Sequence, residues 1–223
     1  MNTETQQHNS VVLVHGINDT GQVFQTMATY LRNRGWSVYT LDLIPNNGDF
    51  GLEKLAQQVA DYIADSFAAE QPLDIVGFSM GGIISRYYVQ RLGGINRVQR
   101  FITISSPHNG TAIAYASLRP GCVQMRPNSA FLQDLNSDVA MLKQLNFTSM
   151  WTPYDLMIVP ANSSRLPIGT EVIVPSRLHP WMLTDSRCLA AVAEALSSPP
   201  INCGRQFGHT QDSQKSLLGN DNT

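Results

Sequence analysis

The stretch that decides the fold is Leu73-Asp74-Ile75-Val76-Gly77-Phe78-Ser79-Met80-Gly81-Gly82. Its first part is short and apolar, which predicts a buried strand over Pro72–Phe78. The residues that follow predict a helix over Met80–Leu92, which ends at a pair of glycines. Ser79 is therefore expected in a tight turn between a strand and a helix.

The turn around Ser79 matches the pattern G-x-S-x-G. Chance alone would place this pentapeptide in roughly 7% of chains of this length, but the strand before it and the helix after it are the context of a nucleophile elbow. We expect Gly77 and Gly81 to lie against other backbone, where only glycine leaves room. The serine hydroxyl would then stand at the carboxyl edge of the sheet, over a helix N-terminus. The alternative is a glycine-rich packing turn without chemistry.

Apolar strands and amphipathic helices alternate along most of the chain. This pattern predicts an α/β protein with a mostly parallel central sheet of about six strands and helices on both faces. The predicted strands are Ser10–Val14, Ser37–Leu43, Pro72–Phe78, Val98–Ser105, Phe147–Thr152 and Glu171–Pro175, and the predicted helices are Val23–Arg32, Leu52–Phe67, Met80–Leu92 and Asp185–Leu196.

The 223 residues fit one domain, and 43% of them are hydrophobic against 14% charged, as in globular proteins. We expect a flexible N-terminus over 1–9, one domain over 10–198 and a polar, disordered tail over 199–223. Segment 111–146 interrupts the alternation with apolar residues at helical spacing. It is expected either to form a lid or cap over the site or to pack on the core.

Charge and cysteine content exclude several function classes. The net charge of −2 gives no sign of nucleic acid as a partner, and no apolar run approaches the ~20 residues of a membrane span. Cys122, Cys188 and Cys203 fit no zinc or redox motif, which favours three reduced thiols over a disulfide and one free thiol. The residues after Met1 form no secretory signal, so we expect a cytoplasmic protein, although a trimmed secreted chain would look the same. We also expect a monomer.

A nucleophilic serine needs a histidine base, which in this type of fold comes after the acid in the chain. His209 lies in the polar tail, where a base would not be held within reach of the serine. His108 follows the fourth strand with no aspartate between it and Ser79. His179 lies after the last strand and before the last helix, so it is the expected base.

The acid must lie between Ser79 and His179. Asp134 and Asp138 fall in a polar helical stretch, and Glu171 opens the last strand, so we expect these three to face solvent. Asp155 follows the fifth strand on a loop, which suits a carboxylate that orients the base. The alternative for Asp155 is a turn cap after Pro153.

The loop after the first strand supplies the second feature of the expected site. In hydrolases with a nucleophile elbow, the oxyanion is held by the amide after the nucleophile and by an amide of this loop. The backbone N–H groups of Met80 and Ile17 are the corresponding donors here. The imidazole of His15 is expected to support the loop through hydrogen bonds and not to act as a base.

These pieces together resemble the α/β-hydrolase superfamily, and in particular the small bacterial triacylglycerol lipases and esterases of the compact Bacillus type. The resemblance covers about residues 10–196 and rests on five blocks in family order, which are residues 11–17, 74–82, 105–111, 154–160 and 178–183. It implies a triad of Ser79, Asp155 and His179. Pro180, directly after the histidine, departs from the pattern.

The resemblance implies a serine carboxylic-ester hydrolase that works through an acyl-enzyme, with no metal ion and no organic cofactor. The same triad would serve a thioesterase, a phospholipase or galactolipase, or an acyltransferase, and a non-catalytic binding member of the fold is the alternative of another class. The expected partner is an ester or lipid substrate, with transient contact to a lipid interface. Residues predicted to line an acyl pocket are Phe24, Trp151, Trp181 and Met182.

Overall fold

The computed structural model describes residues 8–201 and contains a six-stranded, fully parallel sheet. The strands are β1 Ser10–Val14, β2 Val38–Leu41, β3 Leu73–Phe78, β4 Val98–Ile104, β5 Asn146–Trp151 and β6 Thr170–Ile173. Their spatial order is β2-β1-β3-β4-β5-β6. The chain therefore leaves β1 towards one side and returns to β3 on the other, which puts a topological switch point between β1 and β3.

Helices cover both faces of the sheet because successive strand residues point to opposite sides. The helices are α1 Gln25–Arg32, α2 Leu52–Ser66, α3 Met80–Arg91, α4 Pro120–Gln124, α5 Ala130–Ser137 and α6 Ser186–Ser197. In β1, Val11 and Leu13 pack with α1 and α6, whereas Val12 and Val14 pack with α2, α3 and α5. The predicted α/β sheet with helices on both faces is confirmed.

The glycines around Ser79 lie against backbone, as the sequence predicts. A Cβ on Gly77 would come within 2.5 Å of the Gly82 Cα, and a Cβ on Gly81 would overlap the carbonyl oxygens of Val14 and His15. The helix after the turn therefore packs directly on the end of β1. This contact sets the distance between the loop after β1 and Ser79.

Segment 111–146 folds into α4, α5 and short 3-10 turns. Its leucines at 132, 135, 142 and 145 are buried in the core on the α3 side of the sheet. The buried guanidinium of Arg86 on α3 donates hydrogen bonds to Leu135 O at 2.6 Å and Asn136 Oδ1 at 2.8 Å. These contacts anchor α5 on α3. The first part of the segment, before α4, is instead rich in exposed apolar side chains, and a lid there stays a prediction.

The predicted N-terminus over 1–9 and tail over 199–223 fall mostly outside the described residues, as do His209 and Cys203. The N-terminal turn of the predicted helix Val23–Arg32 is a 3-10 turn over Gly21–Phe24, and α1 begins at Gln25. Within 8–201, no helix combines the length and apolarity needed to cross a bilayer.

Replacement of Gly81 by alanine tests the packing of α3 on β1. Alanine favours a helix by about 1 kcal/mol over glycine, but the added methyl group would overlap the Val14 and His15 carbonyls. We expect Gly81→Ala to lower the free energy of unfolding by about 3 kcal/mol or more in urea denaturation. Gly93→Ala is the control: it strains a backbone with φ of +81° but brings the methyl within 4 Å of no other atom, so it should cost only about 1–2 kcal/mol. Equal or higher stability of Gly81→Ala would contradict the packing argument.

Candidate active site

Ser79 sits at the start of α3 in a backbone conformation that L-residues rarely adopt, with φ 53° and ψ −123°. Its N–H donates to Ile104 O at 2.8 Å, which ties the turn to the neighbouring strand β4. Strain of this kind persists only where the surroundings fix it, and it is frequent at functional sites. The turn places Ser79 at the carboxyl edge of the sheet, beside the switch point between β1 and β3.

His179 and Asp155 are joined by a hydrogen bond of 2.7 Å between Nδ1 and Oδ2. The imidazole also packs on the ring of Phe78, with the ring centroids 4.8 Å apart, so it lies next to the residue that precedes Ser79. Because Nδ1–H donates to the carboxylate, Nε2 is the nitrogen left to accept a proton. The structure contains no direct hydrogen bond from Ser79 to this imidazole within residues 8–201, and such bonds are often long without substrate.

The Asp155 carboxylate is buried and fully engaged. Its second oxygen, Oδ1, accepts the N–H groups of Met157 and Ile158, both at 2.9 Å. Burial raises the pKa of Asp155, but the hydrogen bond and charge of His179 and the two backbone N–H groups outweigh burial and hold the pKa below its ordinary value. The carboxyl is therefore ionised at neutral pH and accepts hydrogen bonds only.

Two threonine side chains hold the loops that carry Asp155 and His179. The hydroxyl of Thr152, at the end of β5, donates to Ser176 O at 2.5 Å and accepts the N–H of Tyr154. The hydroxyl of Thr111 donates to Met157 O at 2.8 Å and accepts Val159 N–H at 2.9 Å. Sequence reasoning missed both threonines; the position of Thr152 at the end of the predicted fifth strand was the available signal.

Pro180 has a simple place in this structure. His179 opens a 3-10 turn over His179–Leu183, and the proline lies in the first turn. The fixed φ of proline suits the start of a helical turn, where its missing N–H costs no hydrogen bond. The departure from the family pattern is thus compatible with a well-formed histidine loop.

The loop after β1 closes on Ser79 from the other side. A Cβ on Gly16 would lie 3.1 Å from the Ser79 Cβ. Asn18 N–H donates to Asn46 O at 2.8 Å, which fixes the loop next to Ile17. Met80 is the first residue of α3, so its N–H has no acceptor within the helix. These are the two amides that the sequence nominates for the oxyanion.

The imidazole of His15 supports this loop, as predicted. Leu43 N–H donates to His15 Nε2 at 2.9 Å, so the proton lies on Nδ1, which donates to Gly16 O at 2.8 Å. Both ring nitrogens are therefore occupied by backbone. His15 has no nitrogen free to accept a proton from Ser79.

The residues set aside as base or acid lie elsewhere. His108 is fully buried with Nε2 3.0 Å from Thr103 Oγ1, and burial, together with the charge of Arg86, holds its pKa well below the ordinary value. Asp134 and Asp138 form ion pairs with Arg91 on α3. Glu171 is exposed; it pairs with Arg165 and accepts the N–H of the Trp151 indole.

The four residues predicted to line an acyl pocket differ in exposure. Phe24 and Met182 are completely buried in the core on the α1 side, and Trp151 is nearly so. Trp181 is half exposed. Contact between substrate and any of the four residues stays a prediction. Phe24 and Met182 are explained by their packing in the core, because both are completely buried.

Exposed apolar side chains gather on the segments that follow β4, β5 and β6. Since the carboxyl ends of parallel strands share one edge, these segments begin at the edge of the sheet that carries Ser79. Leu118 and Leu156 are the most exposed members, at 85% and 70%. We call this set the apolar rim; it consists of Ile113, Tyr115, Leu118, Tyr154, Leu156, Met157, Leu178 and Trp181.

One carboxyl group beside the site was not anticipated from the sequence. Asp19 lies on the loop after β1, with Oδ2 3.1 Å from the position that a Cβ on Gly16 would take.

Among residues 8–201 no group of three or more His, Cys, Asp and Glu side chains could hold a metal ion.

Solved structures with the same fold include lipases and thioesterases. The mature lipase of Bacillus licheniformis is 15% identical, with a TM-score of 0.69 over 86% of this chain and 93% of that one. Lipase B of Aspergillus fumigatus is 18% identical with a TM-score of 0.75, and this chain covers 55% of its length. The thioesterase domain from the curacin biosynthetic pathway is 16% identical, with a TM-score of 0.60 over 86% and 92% of the two chains. These likenesses show the α/β-hydrolase fold.

A family match goes further than the fold. The palmitoyl protein thioesterase family matches residues 10–154, which is more than half of the chain. The matched range includes the loop after β1 and Ser79, and it ends one residue before Asp155. The chain is thus a lipase-, esterase- or thioesterase-type hydrolase by fold and family, and it belongs to the palmitoyl protein thioesterase family.

Proposed function

We propose that the protein is a serine hydrolase of apolar acyl esters that works through an acyl-enzyme on Ser79. The observation that carries the proposal is the hydrogen bond of 2.7 Å between His179 Nδ1 and an ionised, buried Asp155, next to a serine on a strained elbow. An imidazole held in this way keeps Nε2 as a base and gains a negative partner for the charge that forms on it.

In the proposed reaction, Ser79 Oγ attacks the acyl carbonyl carbon while His179 Nε2 accepts the hydroxyl proton. The carbonyl oxygen becomes an oxyanion and accepts hydrogen bonds from the N–H groups of Ile17 and Met80. One such donor can stabilise the transition state by about 3 kcal/mol. The start of α3 adds the favourable end of its dipole.

The tetrahedral intermediate then collapses. The bond from carbon to the leaving oxygen breaks, and His179 gives its proton to the departing alcohol. Water enters, transfers a proton to the same imidazole and attacks the acyl carbon. Breakdown of the second tetrahedral intermediate returns the proton to Ser79 and releases the carboxylic acid.

The apolar rim favours substrates with an apolar acyl chain. Exposed leucine side chains gain about 1.5–3 kcal/mol each when fully covered, so a long chain laid across the rim would bind more tightly than an acetyl group. Thr111 ties the segment of Leu118 to the loop of Leu156 through its hydrogen bonds to Met157 and Val159. The two most exposed leucines therefore belong to connected loops.

A thioesterase is the second candidate, and the family match favours it. The triad defines acyl transfer and not the leaving atom, so a thiol could depart in place of an alcohol. Under this proposal the substrate is a palmitoyl thioester. Hydrolysis of palmitoyl-CoA measured beside p-nitrophenyl palmitate separates the two, since an ester hydrolase would act on the second and spare the first.

Replacement of Ser79 by alanine is the direct test of the mechanism. Loss of the nucleophile should lower kcat on p-nitrophenyl butyrate by at least about 10³-fold. A fluorophosphonate probe should label the wild type on the peptide that contains Ser79, as located by mass spectrometry. Ser137 is an exposed serine on α5, so the control variant Ser137→Ala should keep both the esterase activity and the labelling. Activity or labelling that survives Ser79→Ala would refute the mechanism.

Replacement of Asp155 by asparagine tests the orienting carboxylate. The amide can present an N–H to His179 Nδ1 and so favour the wrong tautomer, and we expect kcat to fall by about 10²–10⁴-fold. Asp134→Asn, which changes a carboxyl of α5 paired with Arg91, should keep normal kcat. Equal kcat for Asp155→Asn and wild type would remove Asp155 from the mechanism.

The wild type and Asp155→Asn also allow a test of how stability depends on pH. Because the native pKa of Asp155 is depressed, its ionised form stabilises the fold above the unfolded pKa of about 3.9. That stabilisation is lost as the pH falls through the native pKa. The difference in unfolding free energy between wild type and Asp155→Asn should therefore narrow below about pH 4, measured by urea titration. A difference that grows on acidification would contradict the depressed pKa.

The double variant Leu118→Ser, Leu156→Ser tests the apolar rim. Both side chains are exposed, so stability should change little, while kcat/KM on p-nitrophenyl palmitate should fall about tenfold. Activity on the acetate ester should stay within about twofold. Ile201→Ser is the control. Ile201 is exposed, but its N–H donates to Asn146 Oδ1 at the start of β5, so it lies at the edge of the sheet opposite Ser79. An equal loss on both esters would count against a chain-binding rim.

A further inference from the structure

We propose that Asp19 is a specificity-determining residue that sets the charge preference of this site, against anionic substrates and towards those with a cation or hydrogen-bond donor near the scissile bond. The inference rests on the proposed acyl hydrolysis at Ser79. It concerns a group that this mechanism does not use.

The first observation is distance. Asp19 Oδ2 and Ser79 Cβ each lie 3.1 Å from the position that a Cβ on Gly16 would take. The carboxylate oxygen and the serine Cβ are therefore separated by at most twice that distance. A substrate whose carbonyl carbon reaches Ser79 Oγ places its neighbouring groups within Coulomb range of this carboxylate.

The second observation is that the backbone of Asp19 is fixed while its carboxylate is unpaired. Asp19 O accepts the Asn46 side-chain amide at 2.6 Å, and Asp19 N–H donates to Gly16 O at 3.4 Å. Within residues 8–201 no donor forms a hydrogen bond to the carboxylate. By contrast, Asp42 accepts Gly21 N–H and Asp49 pairs with Arg119. Asp19 thus offers free acceptor capacity at the site.

The third observation is electrostatic. Partial burial raises the pKa of the Asp19 carboxyl, and the nearby imidazoles of His15 and His179 act in the opposite direction. The group therefore lies in a less polar environment than open solvent and close to the proposed base. A charge in such a place is less screened than a surface charge, so its effect on substrate is larger.

The physical consequence is a bias between substrates. A carboxylate on the substrate would be repelled, an ammonium group attracted, and a hydroxyl or amide N–H could donate a hydrogen bond to Asp19. At a separation of roughly 7 Å and an intermediate effective dielectric, one charge pair changes a rate by about five- to tenfold. A neutral hydrocarbon chain would feel little of this.

The test compares wild type, Asp19→Asn and Asp65→Asn at pH 8. Asparagine keeps the shape of Asp19 and removes its charge. Asp65 is exposed near the end of α2, which returns to the opposite edge of the sheet, so its replacement makes the same change in net charge far from Ser79. Two matched substrate pairs serve as probes. Mono-p-nitrophenyl adipate and p-nitrophenyl hexanoate differ in charge on the acyl side, and butyrylcholine and 3,3-dimethylbutyl butyrate differ in charge on the leaving group.

For Asp19→Asn we expect the ratio of kcat/KM for the adipate over the hexanoate ester to rise, or the ratio for butyrylcholine over its neutral analogue to fall, by about fivefold. The pair that changes more identifies the side of the substrate that faces Asp19. The effect should shrink in 1 M NaCl, which a change of shape would not do. Asp65→Asn should leave both ratios at wild-type values.

The outcomes separate this inference from the proposed function. If wild type hydrolyses the neutral members but both ratios in Asp19→Asn stay within about twofold of wild type, the role of Asp19 is overturned while the hydrolase stands. If wild type hydrolyses none of the four compounds, it is the proposed function that is overturned.

Discussion

The contact between the start of α3 and the end of β1 is the constraint on which the rest of the site depends. Because residues 77 and 81 lack side chains, the helix axis approaches the Val14 and His15 carbonyls closely enough to hold Ser79 in its left-handed conformation. The same approach brings the loop after β1 to the serine. The proposed nucleophile, the two candidate oxyanion amides and the Asp19 carboxylate thus meet because α3 packs directly on the end of β1.

The proposed acid and base, Asp155 and His179, are positioned in a different way, by a set of hydrogen bonds between loops. Asp155 has every oxygen engaged, and the hydroxyls of Thr152 and Thr111 clamp its loop to the histidine loop and to the segment after β4. These polar groups are buried, where an unpaired partner would be costly, so the loops have few alternative arrangements. The turn at Ser79 is fixed by steric contact, whereas Asp155 and His179 are fixed by hydrogen bonds.

The sequence was sufficient for the fold and for nominating Ser79, Asp155 and His179 as catalytic residues, because the fold and the nomination follow from local patterns and chain order; the catalytic roles stay a prediction. Apolar runs alternate with amphipathic helices, and the order of Ser79, Asp155 and His179 leaves few choices. Structure was needed where the answer depends on long-range packing. The periodicity around Phe24 reveals a helical face but not that the ring is buried. Nothing in Ile17-Asn18-Asp19 indicates that the carboxylate turns back towards Ser79, since that depends on Asn46, 27 residues further along the chain.

The position of β6 at the edge of the sheet has a consequence for the order in which parts of the protein unfold on warming. This strand is four residues long, pairs on one side only and is mostly exposed, yet the loop that carries His179 begins directly after it. Edge elements of this kind open in partial unfolding events that leave the centre of a sheet intact. The proposed base, His179, can therefore move away while the turn at Ser79, between β1, β3 and β4, remains folded. On warming, enzymatic competence should disappear before the helical circular dichroism signal, and amide protons of β6 should exchange sooner than those of β3.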